Sequence, residues 1–243
     1  MNRKYLNNLV LFIIILIFIN LSPSFGYTAY IFHDGKHYDH IKMFIELFKN
    51  KSFQVEEGTH FPNNLTKYDI LLLEFDLYQD PTFDWKENET RKYILNGGIF
   101  IGVGDGGMLA SLVLTNSSIS SGLWASSLDS EILYNNSVLF KEYSIGDVLK
   151  LGSAATYHLT YAESLSTTTI PLLKMMGNQK VIAITNEKFN IFGFTLGCGG
   201  WVNIPNCTYV YSSFIDTILN FRLKKSTIFS PLNKTYFTTL PST

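Results

Sequence analysis

The stretch that most constrains this chain is Arg91 to Ser111, RKYILNGGIFIGVGDGGMLAS. Asn96-Gly97-Gly98 stops a short helix expected over Glu89 to Leu95, because glycine enters the left-handed conformation beyond a last turn without steric penalty. Ile99 to Val103 is then an unbroken apolar run, as expected of a strand buried on both faces of a parallel sheet. Gly102, Gly104, Gly106 and Gly107 crowd the next junction, and Gly106 to Leu114 reads as a helix. Glycine at that density marks a tight strand-to-helix bend where one backbone passes close to another.

The same alternation extends in both directions. Tyr27 to His33 is a β-rich run, and Ile41, Phe44, Ile45 and Phe48 recur at the spacing of a helix with one apolar face. Ser52 to Val55 reads as a short strand, and Tyr68 to Leu73 as a fully buried one. Ser117 to Leu165, rich in Ser, Tyr and Asn, reads as hairpins and loops. Thr169 to Met176 and Val181 to Thr185 are strands flanking a turn at Gly177-Asn178, and Asn190 to Thr195 is another. Ile215, Ile218, Leu219 and Arg222 belong to a last helix. The expected class is α/β, a flavodoxin-like three-layer fold with a mostly parallel central sheet and helices on both faces. A chain of 243 residues is long enough for one full core. The expected organisation is a leader over 1–26, one domain over 27–225 and a polar tail over 226–243.

Three segments, in order, resemble the class I glutamine amidotransferase-like superfamily, in particular its biotin-protein ligase N-terminal domain. They are Tyr68 to Asp76 (YDILLLEFD), Arg91 to Ser111, and Val181 to Gly197. Arg91 to Ser111 resembles the helix, Gly-Gly turn, strand, nucleophile elbow and following helix of that family, and is the specific one of the three. Trehalose-utilisation-like domains share this layout without the cysteine. The resemblance implies an elbow at Gly102, Gly104, Asp105 and Gly106, with the family's cysteine position falling at Gly104. Glycine has no side chain with which to attack a carbonyl. The family's oxyanion glycines fall near Glu74-Phe75-Asp76, where carboxylates would repel a developing oxyanion. The family's histidine and its acidic partner fall near Thr195 and Gly197, neither of which can act as a general base.

In open α/β sheets, ligands bind outside the carboxyl ends of the strands. His33, Asp34, His37, Glu74, Asp76 and Asp105 are expected there. Asp34, Glu74, Asp76 and Asp105 are therefore candidates for a divalent cation or polar ligand, since carboxylate oxygens suit Ca²⁺ or Mg²⁺. The competing reading is structural, because Asp is common at helix caps and turns. No other cofactor is expected.

The leader has the layout of a secretory signal peptide. Arg3 and Lys4 precede an apolar run from Leu9 to Ile19, and Ser24-Phe25-Gly26 puts small residues at a cleavage site. That run is shorter than the roughly 20 residues a membrane span needs, so no stable span is expected after cleavage. The acceptor pattern for N-glycosylation occurs at Asn64, Asn88, Asn116, Asn135, Asn206 and Asn233. Cys198 and Cys207 are the two cysteines, and in an oxidising compartment they are candidates for a disulfide. The expected location is the secretory lumen or the outside of the cell. A net charge of -1 gives no electrostatic footprint for nucleic acid. The expected partner is a small molecule or glycan.

Two functions compete. One is a non-catalytic binding or structural domain, a pseudoenzyme. The other is a metal-assisted hydrolase built on the carboxylates. A third reading, Cys198 as a displaced nucleophile, would be silenced by its pairing with Cys207.

Overall fold

The structure is a computed structural model. It describes residues 26–33, 35, 38–75, 83–115, 123–125, 128–152, 154–156, 160–161, 168–177, 180–195 and 204–223. The leader up to residue 25 and the tail from 224 lie outside these.

Five strands run parallel: β1 (Thr28–His33), β2 (Gln54–Gly58), β3 (Ile70–Phe75), β4 (Ile99–Gly104) and β12 (Ile191–Phe194). They are arranged as β2-β1-β3-β4-β12. That is the doubly wound order of flavodoxin-like folds, with the strand order reversing between β1 and β3. Next to β12 the sheet turns antiparallel. It continues through β11 (Lys180–Asn186), β10 (Thr169–Met175), β6 (Ser130–Ile132) and β7 (Val148–Leu149). A short β9 (Thr160–Tyr161) also pairs with β11, while β5 (Leu123–Ala125) and β8 (Ala154–Thr156) form a separate ribbon. The expected mixed α/β class is observed, with a sheet largely but not fully parallel.

Alternation along each strand divides the core into two layers. Ile31, Ile70, Leu72, Ile101 and Val103 face one side. There they meet helix α1 (Tyr38–Asn50) and helix α4 (Ile204–Ile218). Phe44 and Tyr211 meet edge-on between those helices, and Phe192 lies against Phe214. Phe32, Leu71, Leu73 and Phe100 face the other side, toward helix α2 (Phe83–Leu95) and helix α3 (Asp105–Thr115). Among the described residues, no helix is long and apolar enough to cross a membrane.

Several boundaries differ from the sequence reading. The second strand runs to Gly58 rather than ending at Val55. As an edge strand it needs no second apolar face, so Glu56 and Glu57 sit in it without cost. Ser52, with φ of 65°, lies in the turn before it rather than in the strand. The last helix begins at Ile204, because Val210, Tyr211 and Phe214 extend its buried face toward the N-terminus. Leu219–Leu223 then closes it as a π-helical turn.

Tyr68, just ahead of β3, donates to Glu56 Oε2 of β2 at 2.6 Å. Burial, and then the Glu56 hydrogen bond and charge, push its phenol well above the ordinary range. Lys67 and then Tyr68, both donating to Glu56, hold that carboxyl below its usual value. A phenol whose pKa is higher folded than unfolded adds stability that is complete below the unfolded value of about 10 and is lost as pH rises past it. Stability should fall between roughly pH 9 and pH 11, and less steeply in Tyr68→Phe. Urea midpoints across that range measure the difference, and identical slopes would contradict it.

Candidate functional site

The site is built at the carboxyl edge of the parallel strands. β4 ends at Gly104 and α3 begins at Asp105, so strand passes to helix with no intervening loop. Gly104 makes the bend with φ of 59°, in the left-handed region, where a side chain costs about 1–2 kcal/mol. The neighbouring glycines serve close approach. A Cβ on Gly102 would stand 1.9 Å from the Gly106 carbonyl oxygen, and one on Gly106 would stand 2.2 Å from the Leu73 carbonyl oxygen of β3. The first turn of α3 is therefore seated directly on the backbone of β3 and β4. These are the geometric features of a nucleophile elbow: a sharp strand-to-helix turn at the top of a sheet. At its apex stands a residue without a side chain.

Two imidazole–carboxylate pairs line the rim beside it. His33 ends β1 and Glu74 is its register partner on β3. Both are buried. His33 Nε2 lies 2.6 Å from Glu57 Oε2 of β2, and the Gly35 backbone N–H donates to His33 Nδ1 at 3.1 Å. A backbone N–H needs an acceptor, so Nδ1 carries the lone pair and Nε2 the proton donated to Glu57. Both ring nitrogens are thus engaged, and the ring ties the end of β1 to β2 and to the following turn. Glu74 Oε1 lies 3.3 Å from Nδ1 of His40, in the first turn of α1.

Of the acids expected to gather here, Glu74 is at the rim and is paired with His40. Asp105 opens α3, and its side chain is outside the described residues, as are Asp34, His37 and Asp76. Among the described residues, no group of three or more His, Cys, Asp or Glu could hold a metal ion. His40 and Glu57 are not singled out by the sequence. Nothing local marks them, and they become visible only when the strand order puts the ends of β2, β1 and β3 side by side.

Thr195, just past β12, donates its hydroxyl to the Ile182 carbonyl at 3.3 Å, while its N–H donates to the same oxygen at 2.9 Å. It is occupied in extending the sheet. Gly197 and Cys198 lie outside the described residues. Cys207 is a free thiol, fully buried on the core face of α4. Its expected disulfide partner, Cys198, is outside the described residues, and among those residues Cys207 forms no disulfide. The glycine- and proline-containing stretch before Cys207 suggests a chain turning back, but helix geometry directs this side chain into the core instead.

No protein-family model and no curated protein matches the chain. Solved structures do. A glutamine amidotransferase from Thermotoga maritima superposes with a TM-score of 0.51 at 14% identity, covering 84% of this chain and 86% of that one. A Thermoplasma acidophilum protein provisionally assigned to GMP synthase gives 0.53 at 10% identity, covering 82% and 98%. At such identities the likeness is one of fold, and the fold is that of class I glutamine amidotransferases.

The elbow geometry sets a stability order. Gly104→Ala should cost about 1–2 kcal/mol for the left-handed backbone alone. Gly106→Ala should cost more, about 3 kcal/mol, since a Cβ so close to the Leu73 carbonyl must push α3 off the sheet. Denaturant unfolding of the two variants measures the order, and equal or negligible losses would contradict the seating described.

Proposed function

We propose that this chain is a secreted domain with the amidotransferase fold that works by binding rather than by cysteine chemistry. The observation that carries the reading is Gly104, at φ of 59° in the elbow, where the family resemblance puts the reactive sulfur. Two further features support it. The oxyanion position of the resemblance holds Glu74, a buried carboxylate that would oppose negative charge on a substrate oxygen. The histidine position falls near Thr195, which cannot accept and return a proton at neutral pH. Nucleophile, oxyanion site and base are thus all replaced together. Within the fold, the run from Arg91 to Ser111 favours kinship with the biotin-protein ligase N-terminal domain.

The secretory part rests on the leader and the glycosylation acceptors. Asn64 is exposed, and its Oδ1 accepts from the Thr66 N–H at 3.1 Å and from the Thr66 hydroxyl at 2.7 Å. Asn88 is exposed on α2. Asn135 and Asn206 instead donate their Nδ2 to the carbonyls of Tyr143 and Lys150, at 2.6 and 2.7 Å. A glycan on that nitrogen would disturb the hydrogen bond.

The chain, purified from a eukaryotic secretion host, should release no ammonia from glutamine beyond a buffer control. A glutaminase rate that copurifies through successive columns would defeat the binding reading, and its loss in a Cys198→Ser variant would assign the chemistry to that cysteine. Glycopeptide mapping of the same material should find Asn64 and Asn88 occupied and Asn135 and Asn206 bare. The reverse pattern would contradict the surface assignment.

A further inference from the structure

A second concavity lies at the opposite, amino edge of the sheet. It is a cleft of about 770 Å³, between the 3₁₀ turn Leu65–Lys67, the Gly97-Gly98 turn after α2, and the end of the π-helical turn at Arg222 and Leu223. That volume is in the range of small-molecule sites, roughly 300–1,000 Å³. We propose that this cleft binds a small carboxylate-bearing molecule through Arg222. The elbow plays no part in this inference, but Asn64, proposed above as a glycan acceptor, lines the cleft, so the test uses unglycosylated protein.

Arg222 is an arginine without a partner among the described residues. Nε of Arg222 is buried and has no hydrogen-bond partner. Among the described residues, the guanidinium makes no ion pair. A guanidinium cannot escape that cost by losing its proton, so a buried N–H on it calls for an acceptor. Asp69 and Glu89, the acids in the wall, are committed elsewhere. Asp69 Oδ2 accepts from the N–H and the hydroxyl of Thr28, at 2.8 and 3.0 Å, and Glu89 accepts from Lys92 at 3.1 Å. Nε itself presents no surface to a ligand, but Arg222 lines the cleft with no ion pair among the described residues, and a carboxylate matches the fork of its guanidinium.

The remaining wall suits an organic molecule rather than a bare ion. Phe61 and Tyr68 offer ring surface. Tyr93 is held rigidly, its hydroxyl donating to the Tyr68 carbonyl at 3.2 Å and accepting from the Ile99 N–H at 3.3 Å. The amide of Asn96 supplies a donor and an acceptor for ligand hydroxyls. The two wall carboxylates also bear on the ligand's charge. They repel a doubly charged phosphate more than a singly charged carboxylate.

The test follows the Arg222 Nε–H and the Gly97 and Gly98 amides by nitrogen-15 NMR, in the full, unglycosylated mature chain. Sodium glucuronate is the probe, with glucose and inorganic phosphate as comparisons. Glucuronate should shift all three signals saturably, and glucose should bind at least about tenfold more weakly, because it lacks the charge-assisted pair. Arg222→Gln should abolish the shifts at Gly97 and Gly98. Arg222→Lys, which keeps the charge but loses the fork, should weaken them. Signals unmoved by glucuronate in the unsubstituted chain would overturn the proposal. So would equal binding by Arg222→Gln, or a larger response to phosphate than to glucuronate.

Discussion

The seating of one helix turn on two strands governs the carboxyl edge of this protein. Gly102 and Gly106 let the α3 backbone approach β4 and β3 more closely than any Cβ would permit. Gly104 then takes a left-handed conformation between them. The three positions act together, because the bend needs the conformation of one and the bareness of its neighbours. Once the bend is made, α3 must cover β3 and β4 on one face. That fixes which residues of those strands face α2 and α3, and which face α1 and α4.

Where a nucleophile elbow carries a side chain, such a bend holds a reactive atom over the sheet edge, and the strain is part of the device. Here glycine occupies the apex, so the conformation is kept while its cost is removed. Among the described residues, the polar groups around the apex are bonded to the protein itself. His33 uses both ring nitrogens, Glu74 faces His40, and the Thr195 hydroxyl is spent on Ile182. These contacts tie β2, β1, β3 and α1 together at their ends. A rim stapled in this way resists rearrangement. The amino edge differs, because there a guanidinium N–H is buried without an acceptor. Among the described residues, the two edges of one sheet thus differ, one satisfied internally and one incomplete.

Much of the fold was legible because its signals are local. The apolar runs at Ile70–Leu73 and Ile99–Val103 read as strands covered on both faces, and the glycines between Gly102 and Gly107 fit a tight junction. The edge strand β2 was read short, because Glu56 and Glu57 carry no burial signal and owe their place to pairing with β1. The early start of α4 was missed for a related reason. Its first turns contain Asn206, Thr208 and Ser212, weak helix formers whose conformation is decided by packing at Cys207, Val210 and Tyr211.

The amino-acid order alone determined the class of the fold, the position of the bend and the absence of a side chain at its apex. Each of these depends on what a residue is and on its immediate neighbours. Tertiary structure alone decided that His33 would meet Glu57 and Glu74 would meet His40. It also decided that Cys207 would point into the core, and that Arg222 would lie in a cleft with Tyr68 and Tyr93. Those meetings join residues far apart in the chain, and they follow from strand order and helix rotation. No local pattern encodes either quantity, because each is settled by the packing of the whole domain.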